Sequence, residues 1–267
     1  MRAVLIAATL AASLSTGWAA DAVLSEETVD VEIPAAVQTR QIVFDIGGGA
    51  TLSSKWPSSK IYEPGALPLF ALQYLRLPYF GEVVTDKVRV FTLYPSFNYV
   101  QERSSSDASY LAGIPDRDFA LELGPGAAVR IGAFRGWAEM RYALTGHNGF
   151  VGDFGVQYAT SPIDRLQIAV GPRVGVASDN YMESYFGVPA SATALSAYDP
   201  DGGIKDVGFT LDASYRISEQ VRVVGRGGYR HFVGDALDSP ITEAGNDQEF
   251  SIGIGLTYRF GFNFFSE

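Results

Sequence analysis

Residues 248–262 read QEFSIGIGLTYRFGF. Phe250, Ile252, Ile254, Leu256, Tyr258, Phe260 and Phe262 fall on one face, and Ser251, Gly253, Gly255, Thr257, Arg259 and Gly261 on the other. A period of two is that of a β-strand. One wholly apolar face backed by Gly, Ser, Thr and Arg suits a wall between lipid and a filled polar lumen, with the terminal aromatics as an interfacial girdle. A soluble sandwich or lipocalin-like barrel also alternates, but turns its apolar face inward. Three features favour the membrane wall: an export signal, further strands of the same make, and connections that alternate short and long.

The export signal is at the start. Residues 1–20 carry one charge, Arg2, then an apolar run from Val4 to Leu14 and small residues at Gly17, Ala19, Ala20 and Ala22. This is a secretory signal peptide, with cleavage expected after Ala19 or Ala22. No later stretch reaches the roughly 18 apolar residues of a spanning helix, so an exported chain that enters a membrane does so as a closed barrel. Residues 21–40 are acidic and contain Pro34, which predicts a periplasmic tail, and residues 41–267 are then the barrel. The net charge of -10 argues against nucleic acid as a partner.

Nine more strands are expected: 41–52, 66–84 with a break near Pro78, 88–101, 118–131, 134–145, 150–160, 166–176, 205–217 and 220–232. With 248–262 this makes an all-β, antiparallel, up-and-down transmembrane barrel of about ten strands, twelve if 66–84 splits and the loop 178–204 hides another. A short helix is expected near 190–195. The turns near 86, 132, 163 and 218 are short, and the connections near 57, 109, 191 and 240 are longer and polar. That alternation places both termini in the periplasm of a Gram-negative bacterium, with the barrel in its outer membrane.

The faces opposite the apolar rows carry Glu122, Glu139, Arg141, Asp212, Arg222, Arg226 and Arg230. Barrels of about eight strands are just filled by side chains, and open channels need about 16. Charges buried at that width must be paired, so these residues are expected to plug the lumen with salt bridges. The alternative is a narrow solute path along Arg222, Arg226 and Arg230. With no Cys and only His147 and His231, an imidazole metal site is not expected, and no cofactor is implied. His231 lies near Asp235, Asp238 and Ser239 in sequence, but spacing alone makes no catalytic group, and no enzyme is expected.

The long connection contains Asp179 to Val188 (DNYMESYFGV), then Ala192 and Ser196 to Gly203 (SAYDPDGG), which resembles the signature of the MipA/OmpV family of MltA-interacting outer-membrane proteins. The turn Gly146-His147-Asn148-Gly149 is similar to the family's Gly-His-x-Gly turn. Asp235 to Pro240 resembles its Asp-x-x-x-Ser-Pro loop, and Thr257-Tyr258-Arg259-Phe260 its terminal strand. The resemblance implies a non-enzymatic barrel in outer-membrane lipid and, in the best known member, a scaffold joining a lytic transglycosylase to a penicillin-binding protein during murein synthesis. A narrow pore or a surface adhesin is the alternative. Tyr181, Tyr185 and Phe186, together with Asp235, Ser239 and Pro240, are candidates either for loop contacts with a partner or for a cap folded over the barrel mouth, with Gly187 allowing the turn.

Overall fold

The computed structural model describes residues 41–77, 81–84 and 91–263. The signal segment, the acidic tail and the turn near 86 lie outside these. Among the described residues eleven antiparallel segments form one sheet: β1 (Ile42–Ser54), β2 (Tyr62–Leu77), β3 (Gly81–Val84), β4 (Phe91–Val100), β5 (Ala120–Ile131), β6 (Phe134–Ala143), β7 (Phe150–Ile163), β8 (Leu166–Ala177), β9 (Gly203–Arg216), β10 (Val221–Phe232) and β11 (Gln248–Phe262). Their order is β3-β2-β1-β11-β10-β9-β8-β7-β6-β5-β4, so the first and last long strands are neighbours. The sheet curls until its two edges lie 9 Å apart. Those edges, β3 and β4, stand at the first and eleventh places of an alternating series and therefore run in the same direction. Counted as one wall position, they bring the wall to about ten.

The strand expected over 66–84 with a break near Pro78 is interrupted there as expected, β2 ending at Leu77 and β3 starting at Gly81, and it begins earlier, at Tyr62; proline cannot donate to a ladder. One expectation needs correction. The helix expected near 190–195 is absent, and α1 (Asp179–Phe186) stands earlier in the same connection. Ala-rich 190–195 has good intrinsic propensity but follows Pro189. Asp179–Phe186 instead buries Tyr181, Met182, Tyr185 and Phe186, and most helical stability in proteins comes from such packing. The only other α-helix among the described residues is α2 (Pro240–Ala244), with Pro240 in its first turn and Ser239 as its N-cap.

The outward face is apolar on strand after strand. Ile252, Ile254 and Leu256 on β11, Leu211 on β9, Val156 on β7 and Met140 on β6 are all exposed. Aromatics gather at both ends of this belt. Phe44, Phe70, Phe260 and Phe262 stack near the short turns, and Tyr142 with Phe150 and Tyr229 with Phe250 meet near the long loops. On β11 the span from Phe250 to Phe260 is about 34 Å along the strand, or about 26 Å at a tilt of about 40°, the height of an outer-membrane apolar band.

Candidate functional site

Inward-facing side chains fill the sheet in three tiers. The uppermost joins the long connections to the loop ends of the strands. Trp56, Leu111, Ile114, Tyr181, Met182, Tyr185, Phe186 and Ile241 form one buried cluster with Val100, Ala120, Val151, Ala177 and Phe232 of the wall. α1 supplies its centre. His147 lies edge-on to Tyr181 and Tyr185, with ring centroids 5.0 and 5.4 Å away, and Phe186 meets Phe232 at 5.2 Å. Arg103, only 2% exposed, donates to the carbonyls of Ser184 and Tyr185 at the end of α1. Burial, reinforced by nearby Arg117, lowers its pKa to about 10, so it stays charged at neutral pH. Burial, and then the negative charge of Glu122, raises the phenols of Tyr181 and Tyr185 well above the usual range.

The candidates of the 235–240 loop stabilise this tier. Ser239 Oγ donates to the carbonyl of Phe186 at 2.6 Å and accepts from the Ile241 amide at 3.2 Å. Asp235 accepts the Asp201 amide with a carboxylate oxygen and the Tyr198 hydroxyl with its carbonyl. Gly187 acts differently from expectation. Its φ of -71° is open to any residue, so no special turn is involved. A Cβ there would instead lie 2.5 Å from the carbonyl oxygen of Glu183, so glycine is required for space.

The middle tier is ionic. Arg141 is its hub. It bonds Glu139 and Asp153, donates to Ser96 Oγ at 3.0 Å, and sets its Nε 3.6 Å from Glu122. Glu122, fully buried, accepts from Asn98 at 2.7 Å and lies 3.1 Å from His147 Nε2. Asp153 passes the chain to Arg173, Arg173 to Asp206 at 3.1 Å, and Asp206 to Lys205. On the neighbouring strand β10, Arg230 pairs with Glu249 of β11, which also accepts from Ser54 Oγ and the Ser58 amide. Acids and bases thus alternate around the wall, and a cavity of about 130 Å³ lies among Asn98, Arg141, Asp153, Tyr181, Arg230 and Glu249.

The lowest tier mixes apolar and basic groups. Leu67, Leu69 and Ala71 meet Val224 on one side, and Tyr94, Ala128 and Trp137 cluster on the other. Arg226 faces Asp212 at 3.6 Å, and Gln157 links Asp212 to Arg135. Arg259 forms a two-pronged pair with Asp45 at 2.8 and 3.2 Å. Arg222 sits opposite Arg216, near the short turns.

Of the lumen candidates, Glu122, Glu139 and Arg141 come together in one network, Arg230 pairs nearby, and Asp212, Arg222 and Arg226 occupy the tier below. Strict alternation overlooks Lys205, which is as buried as its neighbour Asp206 because a bulge opposite Gly175 and Val176 turns both inward. Arg103 had no local signal in its serine-rich loop. His231 lies 3.7 Å from Asp247, and Ser239 is engaged with backbone. Among the described residues no group of three or more His, Asp or Glu is placed to hold a metal ion.

No curated protein matches the chain. Among solved structures it is similar to Neisserial surface protein A, at 12% identity over 83% of this chain and 96% of that one, with a TM-score of 0.28. It is also similar to OmpT, an outer membrane protein of Vibrio cholerae, at 11% identity over 65% and 53%, with a TM-score of 0.29. The model of the family described as MltA-interacting protein MipA matches residues 46–260, and the chain belongs to that family.

Proposed function

We propose that the sheet closes as a ten-position transmembrane barrel in the outer membrane, termini and short turns in the periplasm, and serves as a non-enzymatic scaffold for murein-remodelling enzymes. The observation that carries this reading is the filled inward face: an aromatic tier, an ionic tier and a mixed apolar and basic tier lie in series behind an apolar outer belt. A wall so filled supports neither solute passage nor a reaction centre, which leaves the protein's surfaces to act. The exposed belt far exceeds the scattered apolar surface of a water-soluble monomer, and lipid is the partner that fits it. Tyr181, Tyr185 and Phe186 then form the cap over the outer mouth, held by Asp235, Ser239 and Pro240. Contact with partners falls to the periplasmic turns.

The family's name records an interaction with MltA, and a lytic transglycosylase and a penicillin-binding protein are the partners proposed for this chain. The test places a photo-crosslinking residue at Asp164 and at Glu219, both exposed on short turns, and irradiates living cells. Recovery of a murein hydrolase or synthase supports the scaffold. Capture of the barrel-assembly machinery alone, from well-expressed protein, removes it.

A further inference from the structure

The outer wall has a hollow that its own side chains leave open. On β6 the outward positions run Phe134, Gly136, Ala138 and Met140, so two small residues lie between two large ones. Ala127 of β5 stands directly opposite Ala138 and widens the floor. Among the described residues, a Cβ on Gly136 would meet only the carbonyl oxygen of Val129, at 4.0 Å, so no side chain covers that position. The result is an apolar groove of about 510 Å³, bounded on one side by Phe154 and Val156 of β7. Those two residues form a ridge, and both are exposed. The ladder fixes the height of ridge against groove: Phe154 is paired with Ala138, and Val156 with Gly136.

We infer that a second copy of this chain docks on this face, each copy seating its Phe154 and Val156 ridge in the other's groove. The inference rests on the transmembrane reading, in which two copies share one orientation and are related by a two-fold axis along the membrane normal. Such an axis keeps every residue at its own depth and exchanges left for right. A groove then meets a ridge where the two stand side by side at equal depth, and the register of β6 with β7 supplies that arrangement. With the axis over this strand pair, Phe154 of one copy faces Ala138 and Ala127 of the other, and the same contact repeats on the other side. Between lipid-facing walls the hydrophobic effect contributes little, and association follows close packing around small residues. The area suffices. Four strands spaced about 4.8 Å apart, in a belt about 25 Å tall, give a footprint of about 500 Å² per copy. The pair then buries about 1,000 Å², the size at which an interface becomes specific.

The test uses the whole protein in lipid vesicles, with a photo-crosslinking residue at Ala138 or at Ile254, which is exposed on β11, four strands from β7 in the sheet. Irradiation should yield a species of twice the chain's mass from position 138 and none from position 254. Energy transfer between labelled copies, diluted stepwise with lipid, gives the strength of association. Ala138→Trp, which fills the groove, and Phe154→Ala, which removes the ridge, should each weaken it about tenfold. Ile254→Trp should leave it unchanged, and heat-modifiable gel migration shows that each variant is folded. Adducts of lipid mass alone from position 138, or association indifferent to both variants in folded protein, overturn the inference. Failure to enter vesicles would remove the transmembrane reading and this inference with it, whereas inserted chains that stay monomeric remove this inference alone.

Discussion

The imidazole of His147 and the carboxylate of Glu122 meet at 3.1 Å, joining a surface connection to the ionic core beneath it. His147 Nδ1 also accepts the Gly149 amide, which fixes the ring, and both side chains are fully buried. Replacing His147 with Ala removes one of the two nearest partners of a buried carboxylate and leaves Asn98 as the other. The expected loss is about 1–3 kcal/mol of stability, read from urea unfolding in lipid vesicles.

Arg141 should matter more. Its loss leaves Glu122, Glu139 and Asp153 facing one another around a missing cation, and removing one member of a buried ionic set costs about 3–5 kcal/mol. Planar bilayers give the complementary measurement. The native protein should show no stepwise current. A Gly/Ser replacement of 179–198 alone should stay closed because the ionic tier remains, and only its combination with Arg141→Ser and Arg173→Ser should conduct.

Alkaline pH should loosen the aromatic tier first. Tyr181 and Tyr185 hold their protons more tightly folded than unfolded, so their contribution is complete below the ordinary phenol pKa of 10.0 and is lost as pH rises above it. Melting temperatures from about pH 8 to about pH 11 should fall beyond pH 10, and Tyr185→Phe should reduce the slope. An unchanged profile in the variant would remove Tyr185 from this account.

The outer belt predicts a depth dependence. Ile254 lies near the middle of β11's exposed row and Ile131 at the short-turn end of β5. Arginine at Ile254 should cost about 2–4 kcal/mol in a bilayer, and arginine at Ile131 about 0–1. Equal costs would argue that lipid does not cover the belt.

The wall was legible in the sequence because a two-residue period leaves no freedom about which side chains share a face. The rows read from 248–262 stand as expected, with Ile252, Ile254 and Leu256 out and Thr257 in. Legibility ended where alternation or locality ended. Lys205 turns inward through a bulge, which depends on the partner strand. Trp56 sits in a stretch of Ser, Lys and Pro that reads as solvent loop, yet it is completely buried because α1, α2 and the 109–114 segment converge on it. Arg103 likewise acquires its role from the carbonyl end of a helix some 80 residues away.

Where the chain's first and last strands meet, the ladder runs in unbroken register from Ile42 opposite Phe262 to Leu52 opposite Ile252. Nearly every other pairing joins strands adjacent in sequence, which close short loops and form quickly. This ladder instead brings together residues about 200 positions apart. Its formation therefore waits until the intervening hairpins exist, and it sets the pace of folding: a chain truncated before Gln248 should zip its hairpins at the normal rate and then halt with β1 and β10 exposed as edges.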